Sequence, residues 1–249
     1  MITIKDLSVA QRLLPVSLQI NAGEKLHIIG PNGSGKSTLL SALAGLLPYQ
    51  GQIELAGSDL KHYDLSALAT LRAFLSQSER PAFTMPVFHY LSLAIPTTAR
   101  TEDVERVVEI ITTQLSIQNK LSKSIHHLSG GEWQRVRLAA ICLQAWPELN
   151  PHAQVMLLDE PAAPLDVGQQ TILYQMIDMM SEQGLAVVVV NHDLNRTLRH
   201  SDKVVLLKGG VIKGYGVTQQ VLTETLISQV FDSEIKRIEH QGQPYLIFE

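Results

Sequence analysis

The eight residues at positions 30–37, GPNGSGKS, restrict the possible folds of this chain more than any other feature. They fit the pattern G-x-x-x-x-G-K-[ST]. They lie between a short apolar strand at residues 26–29 and an apolar segment at residues 39–46 that is typical of a helix. A strand, a glycine-rich loop and a helix in this order form a phosphate-binding unit, in which backbone N–H groups and the helix dipole face the phosphate. The alternative is a glycine-rich turn without function, and the flanking strand and helix argue against it.

The residue types in this loop predict a nucleoside triphosphate with Mg²⁺ as the ligand. Lys36 is placed to reach the β- and γ-phosphates, and the Ser37 hydroxyl is placed to bind Mg²⁺. A guanine nucleotide would require Asn-Lys-x-Asp, and residues 119–122 read NKLS, without the final acid. A GTP-binding switch is therefore the less favoured interpretation. The nucleotide-binding residues predicted in this region are Gly30, Pro31, Asn32, Gly33, Ser34, Gly35, Lys36, Ser37 and Thr38.

Two adjacent carboxylates follow a second apolar strand. Residues 155–158 are apolar and lead directly into Asp159 and Glu160. In open α/β sheets, ligands bind where the strands end. Asp159 is therefore predicted to hold Mg²⁺, directly or through water, and Glu160 to polarise an attacking water. Taken alone, the pair could also be an acidic strand exit without function.

The pattern of the whole chain predicts an α/β fold. Near-continuous apolar strands at residues 155–158 and 186–190 alternate with helical segments, which indicates a mainly parallel sheet with helices on both faces. Period-two alternation at residues 2–4 and 16–20, followed by a turn at 22–24, predicts an N-terminal antiparallel β part.

The middle of the chain reads as a helical insertion. Thr101 is predicted to cap a helix that carries Glu102 and Asp103 in its first turn. Further on, we predict a helix from about residue 166 to 183, a hairpin turn at residues 208–210 and a last short helix. The helix that begins near Thr101 has one apolar face, which comprises Val104, Val107, Val108, Ile111 and Leu115.

Composition excludes several classes of protein. With 249 residues, 45 % of them hydrophobic, the chain is long enough for a buried core. A net charge of -4 gives no electrostatic reason to bind nucleic acid. Cys142, the single cysteine, lies in an apolar stretch and is predicted to be a core residue. The first residues do not resemble a signal peptide, and the apolar run at 185–190 is too short to span a bilayer. We therefore expect a cytoplasmic protein that meets a membrane only through partners.

The segment Leu128-Ser129-Gly130-Gly131-Glu132 distinguishes this chain from other phosphate-loop proteins. Ser129 and Glu132 alone would be explained as a capping box before a helix. Capping does not explain two consecutive glycines, which weaken a helix but let a phosphate approach bare N–H groups. With the phosphate loop before it and Asp159 about thirty residues after it, the chain resembles the ABC transporter ATPases over essentially its whole length.

This resemblance implies a single ABC ATPase domain over residues 1–249. Residues 1–77 and 150–249 would form a RecA-like core with the antiparallel part, and residues 78–149 a helical subdomain. It implies a head-to-tail homodimer, in which each ATP lies between one copy's phosphate loop and the signature residues 129–132 of the other. By position, Gln77 would contact Mg²⁺ and water, Asp166 would lie at the dimer seam, and His192 would contact the γ-phosphate. The predicted catalytic residues are Glu160, His192, Lys36 and Gln77, and the predicted metal ligands are Ser37, Gln77 and Asp159.

Within that family, the chain is similar to the ATPase subunits of bacterial cobalamin (vitamin B12) importers. The similarity rests on PVFHYLSL at 86–93, LSGGEWQRVRLAA at 128–140 and HDLNRTLRH at 192–200. It implies a peripheral location on the cytoplasmic face of the bacterial inner membrane, two transmembrane permease subunits and, indirectly, a periplasmic substrate-binding protein. The ATPase subunit of a siderophore-iron or haem importer is the alternative.

Two other classes of ATP-binding protein fit the sequence less well. Soluble ABC ATPases usually carry two cassettes or a long coiled coil, which this chain lacks, and a non-catalytic cassette would not require Lys36, Asp159, Glu160 and His192.

The segment 78–100 follows Gln77 and is apolar for a loop, so we expect it to be the surface that docks on the permease. The alternative is that its apolar residues pack on the helical subdomain; they are Pro81, Phe83, Pro86, Val87 and Phe88.

Overall fold

The centre of the molecule is a six-stranded sheet. The computed structural model describes residues 1–77 and 80–248. In spatial order the strands are Val211–Val217 (β10), Lys203–Lys208 (β9), Lys25–Ile29 (β3), Ala186–Val190 (β8), Val155–Asp159 (β7) and Arg72–Leu75 (β6). Only β10 runs antiparallel to its neighbour; the other pairs are parallel. Every residue of β7 and β8 is buried, as expected for strands covered on both faces.

A second, antiparallel sheet contains the N-terminal strands. Its spatial order is Leu13–Ile20 (β2), Ile2–Val9 (β1), Gln50–Leu55 (β4) and Ser58–Asp59 (β5). From Val16 to Ile20 of β2 alternate residues are buried, so one face packs on the core and the other meets solvent. A turn with Gly23 at φ 69° leads from β2 to β3. The predicted antiparallel part is therefore confirmed.

Helices cover both faces of the central sheet. They are Lys36–Leu43 (α1), Leu65–Leu71 (α2), Val87–Ser92 (α3), Thr101–Gln114 (α4), Gly130–Ala145 (α5), Val167–Glu182 (α6), Leu194–His200 (α7), Thr218–Val221 (α8) and Glu224–Phe231 (α9). Met156 and Leu158 of β7 face the apolar cluster of α3 to α6, whereas Leu157 of the same strand faces the cluster of α1 and the antiparallel sheet. The predicted α/β architecture is confirmed. The division at residues 78 and 149 stays a prediction.

Three details differ from the sequence-based expectation. The helix predicted at 39–46 begins at Lys36 and ends at Leu43, because it starts directly after Gly35 and Gly45 adopts a left-handed φ of 69° just beyond its end. Thr101 is not the cap of α4. It is already helical, and the extended residue Arg100 precedes it without a side-chain cap. The chain ends in an unpredicted hairpin of Ile235–His240 (β11) and Gln243–Phe248 (β12).

Two further local predictions are confirmed. Val107, Ile111 and Leu115 are buried, so the predicted apolar face of α4 does face the core. Cys142 is a buried free thiol, and burial raises its pKa, as expected for a core residue rather than a nucleophile. None of the helices described in residues 1–77 and 80–248 is long and apolar enough to cross a membrane.

Candidate active site

The phosphate loop wraps around the amino end of α1. Gly30, Gly33 and Gly35 all have positive φ, at 152°, 75° and 103°. A Cβ atom on Gly30 would lie 2.1 Å from the carbonyl oxygen of Leu207, so a side chain would not fit there. The loop therefore needs glycine for two reasons, its backbone conformation and this close approach.

Lys36 is folded back over this loop. Its Nζ donates to the carbonyl oxygens of Gly30 at 2.9 Å and Pro31 at 3.0 Å. Burial lowers the pKa of Lys36, while the charges of Glu160 and Asp159 oppose that shift. The loop therefore keeps a cation beside the carboxylates, with carbonyl partners that phosphate oxygens could replace.

Ser37 and Asp159 form an oxygen-rich pair. The Ser37 hydroxyl donates to Asp159 Oδ1 at 3.2 Å, although the two residues are 122 positions apart. Burial raises the pKa of Asp159, while the hydrogen bond from Ser37 and the charge of Lys36 oppose that shift. A hydroxyl and a carboxylate suit Mg²⁺, which binds few protein oxygens and completes its shell with phosphates and water. The residues present therefore fit the predicted metal.

Glu160 and His192 are in direct contact. His192 Nε2 lies 2.5 Å from Glu160 Oε1, and the two side chains are 44 % and 23 % exposed. Glu160 has a left-handed φ of 47°, an unusual conformation for a residue with a Cβ. Its backbone N–H donates to the carbonyl of Val190 at the end of β8. The turn after β7 thus directs the carboxylate towards the loop that carries His192.

The segment that carries Gln77 is attached to the helix of the signature motif. Arg137 of α5 donates to the carbonyl oxygen of Ser76 and, at 3.0 Å, to Gln134 Oε1. Gln134 in turn donates to the carbonyl oxygen of Pro161 at 2.8 Å. Two side chains of α5 therefore connect the residue before Gln77 with the residue after Glu160. The sequence analysis missed both, although polar residues in a mostly buried helix are a usable signal.

One cavity gathers residues from three predicted motifs. Gln77, Gly130, Asp159 and Glu160 line it together. Within this chain, Ser129 and Asp166 instead cap their own helices, through Glu132 N–H at 3.2 Å and Gln169 N–H at 2.8 Å. For the described ranges 1–77 and 80–248, no hydrogen bond joins Ser129 or Asp166 to the phosphate loop. Their role in nucleotide binding stays a prediction.

The signature segment forms a complete capping box at the start of α5. Ser129 N–H donates to Glu132 Oε2 at 2.8 Å, which reciprocates the Ser129 cap. Lys120 Nζ lies 2.7 Å from Glu132 Oε1. Arg80, also missed in the sequence, donates to the carbonyl oxygens of Leu128 at 2.5 Å and Ser129 at 3.3 Å. The backbone before the two glycines is thus held from both sides.

We expect Glu132→Gln to reduce stability in a pH-dependent way. The hydrogen bond from Lys120, with that from Ser129 N–H, lowers the pKa of Glu132 from 4.5 to about 2. A carboxyl group whose pKa is lower in the folded than in the unfolded state stabilises the fold at pH values above its unfolded-state pKa. This stabilisation is lost as the pH falls through the folded-state pKa. Above pH 4.5 the free energy of unfolding of the wild type should exceed that of the variant by about 0.2–1 kcal/mol, a small figure because the ion pair is partly exposed. The difference should shrink progressively towards pH 2.

Urea unfolding of both proteins at a series of pH values measures this difference. Lys120→Met should show the same pH window, because it removes the other partner of the pair. A difference that stays constant from pH 6 to pH 2 would contradict the assignment.

The predicted docking segment is only partly exposed. Phe83 and Phe88 are 64 % and 58 % exposed, whereas Val87 is fully buried in the core cluster of α3 to α6. Residues 78 and 79 lie outside the described part of the chain. Some of these apolar side chains are therefore exposed to solvent, whereas Val87 packs in the core. Docking on the permease stays a prediction.

Comparison with known proteins establishes the family. A family model described as ABC transporter matches residues 13–163, more than half of the chain. The chain belongs to the ABC transporter family. This ABC transporter protein is 51 % identical to the "Vitamin B12 import ATP-binding protein BtuD" of Vibrio cholerae, over 100 % of both chains. It is also 51 % identical to the protein of the same name from Photobacterium profundum, over 98 % of this chain and 97 % of that one.

Solved structures support the fold of this ABC transporter protein. An ATP-binding subunit of an ABC transporter has a TM-score of 0.78 and 23 % identity, and the match covers 88 % of this chain and 91 % of that one. A dimeric bacterial ABC transporter cassette has a TM-score of 0.73 and 24 % identity over 88 % and 99 % of the two chains. At these identities the likeness concerns the fold alone.

Proposed function

We propose that this chain is the ATP-binding subunit of a vitamin B12 importer and that it hydrolyses ATP to drive import. The observation that carries the proposal is the 51 % identity to the Vibrio cholerae protein along the full length of both chains. Relatives of that name from several bacteria match nearly the whole chain at similar identity. Residues of this subunit would not touch the vitamin itself, so the substrate is inferred from relatedness.

The phosphate loop would bind the triphosphate of ATP. Its backbone N–H groups and the amino end of α1 supply donors and a positive dipole. Lys36, now bonded to two loop carbonyls, would turn to the β- and γ-phosphates. Ser37 and Asp159, with Gln77, would hold Mg²⁺, which neutralises charge on the phosphate oxygens.

Glu160 would act as the general base, and His192 would stabilise the developing negative charge. Glu160 would orient the attacking water and accept its proton, because its carboxylate lines the cavity shared with Gln77. His192, 2.5 Å from Glu160, would fix that carboxylate and contact the γ-phosphate, where negative charge develops. This division of roles needs both side chains on the same side of the nucleotide.

A complete site would require two copies of the chain. Ser129, Gly130 and Gly131 would bind the γ-phosphate of ATP held by the partner, with Glu132 fixing their backbone and Asp166 at the seam. One solved cassette with this fold is described as dimeric, as the proposed homodimer would be. Closure around ATP and reopening after hydrolysis would move two permease subunits, with a periplasmic binding protein delivering the vitamin. The chain would work at the cytoplasmic face of the bacterial inner membrane, attached through the permease.

Reconstitution tests the function and the substrate together. The chain is assembled with a vitamin B12 permease and its binding protein in liposomes, and ATP hydrolysis and cobalamin uptake are counted. We expect ATP-dependent uptake with the wild type and none with Glu160→Gln. Parallel assemblies with a siderophore-iron permease and a haem permease serve as controls. Uptake with one of those and not with cobalamin would reassign the substrate, and no hydrolysis in any assembly would refute the proposal.

A further inference from the structure

The loop that carries His192 is anchored from behind by a buried side chain. This loop, residues 191–193, joins β8 to α7. Asn191 is 5 % exposed, and its Oδ1 accepts from the backbone N–H of Asp193 at 3.2 Å. Because a backbone N–H can only donate, this bond fixes which end of the amide is oxygen. The Nδ2 group therefore points into the interior.

The partner of that amide is the hydroxyl of Tyr174, on the buried face of α6. Asn191 Nδ2 donates to Tyr174 Oη at 2.8 Å and lies 3.4 Å from Thr197 Oγ1. Burial raises the pKa of Tyr174 to about 12, so the hydroxyl stays protonated and neutral at physiological pH. The bond joins α6, which begins after Asp166, to the residue immediately before His192.

The Tyr174 ring has no room to move. It is 1 % exposed and stacks on the His200 ring at a centroid distance of 4.3 Å and an interplanar angle of 18°. The buried His27 ring lies 6.4 Å away on β3. Rings fixed by packing on several elements give the hydroxyl a defined position.

His192 needs such support because its own side chain is weakly packed. It is 44 % exposed, so surrounding atoms do not enforce its contact with Glu160. Its direction depends on the backbone of residues 191–193. Tyr174 and Asn191 also line a small cavity together with Glu160 and His192, which places the anchor directly beside the reacting pair.

We propose that Tyr174 and Asn191 are positioning residues that hold His192 against Glu160 through one buried hydrogen bond. The inference rests on the proposed ATPase function. Neither residue would contact ATP, so each would act on the rate of hydrolysis and not on nucleotide affinity.

Tyr174→Phe tests this role by deleting one oxygen atom and keeping the stacked ring. Loss of one buried neutral hydrogen bond should lower kcat by about 2- to 10-fold. KM for ATP should stay within error. The matched control is Tyr63→Phe, which loses a hydroxyl bond to the Leu55 carbonyl at 3.0 Å and should leave kcat unchanged.

A second comparison separates positioning from general destabilisation. If Tyr174 acts through His192, Tyr174→Phe should cause no further loss of single-turnover rate in a His192→Ala background. The same fold-loss in that background, or an unchanged kcat in the single variant, would overturn the proposal.

A measurement that does not depend on ATP hydrolysis separates failure of the positioning role from failure of the proposed ATPase function. The imidazole NMR signal of His192 in nitrogen-15-labelled protein should shift in Tyr174→Phe and stay in place in Tyr63→Phe. An unmoved signal would overturn the positioning role. If the wild type did not hydrolyse ATP, the function would fail while this measurement still decided whether the anchor orients His192.

Discussion

Glu160→Gln should lower the rate of ATP hydrolysis by about 10²- to 10⁴-fold, the usual contribution of a general base, while ATP still binds. Glutamine keeps the shape of the side chain and can still contact His192, but it cannot accept a proton from water. The left-handed backbone at φ 47° is equally unusual for both residues, so the substitution should not alter folding. The loss would therefore belong to the chemical step.

Phosphate release and ATP binding are measured separately to establish this. Glu182→Gln makes the same change of charge at an exposed position near the end of α6 and should hydrolyse ATP at the wild-type rate. With ATP bound and not consumed, the Glu160 variant should accumulate as a dimer in size-exclusion chromatography. Retention of more than about a tenth of the wild-type rate would exclude Glu160 as the general base, since even the low end of the expected effect is larger.

Lys36→Ala should weaken ATP binding by about 10- to 150-fold. Hydrogen bonds to a charged group contribute about 1.5–3 kcal/mol, and each 1.4 kcal/mol is a factor of ten. Lys36 also bonds the carbonyls of Gly30 and Pro31, so its removal disturbs the loop itself. Lys36→Arg keeps the charge but not the point-like ammonium, and we expect it to recover only part of the affinity.

Equilibrium binding of a fluorescent ATP analogue, together with the ATP-induced rise in Tm, measures this loss. A ligand that binds only the folded state raises its stability by RT ln(1 + [L]/Kd), so at an ATP concentration near the wild-type Kd the rise should nearly disappear in Lys36→Ala. Lys213→Ala removes an exposed lysine from β10 and is the control, with an unchanged rise. An unchanged affinity in Lys36→Ala would contradict the role of the phosphate loop.

Local sequence patterns predicted those parts of the molecule whose physics is local. Glycine spacing around Lys36 and the carboxylates after an apolar strand define the phosphate loop and the exit of β7 without reference to the rest of the chain. The parallel sheet followed from the apolar runs of β7 and β8, because only strands covered on both faces are apolar throughout. The start of α1 was predicted three residues late, because Lys36 and Ser37 are polar and the apolar pattern begins at Leu39.

The contacts that sequence reasoning missed are non-local. Tyr174 and Asn191 are 17 positions apart, and either residue alone is unremarkable. Arg137 reaches the Ser76 carbonyl across 61 positions, which no periodicity indicates. Thr101 was misassigned because a threonine followed by two acids satisfies the capping pattern, although the chain becomes helical one residue earlier than that pattern requires. Such features depend on how elements pack, and packing is fixed only in three dimensions.

The capping box at Ser129 has a consequence for how the two halves of a dimer would meet. The Ser129 hydroxyl accepts from the Glu132 N–H, and a hydroxyl that accepts can still donate its own hydrogen. In the proposed dimer it could therefore serve a γ-phosphate without leaving its helix. With Lys120 and Arg80 also holding this segment, little conformational entropy remains to be lost when ATP arrives. Assembly around the nucleotide would then join two rigid, prebuilt surfaces.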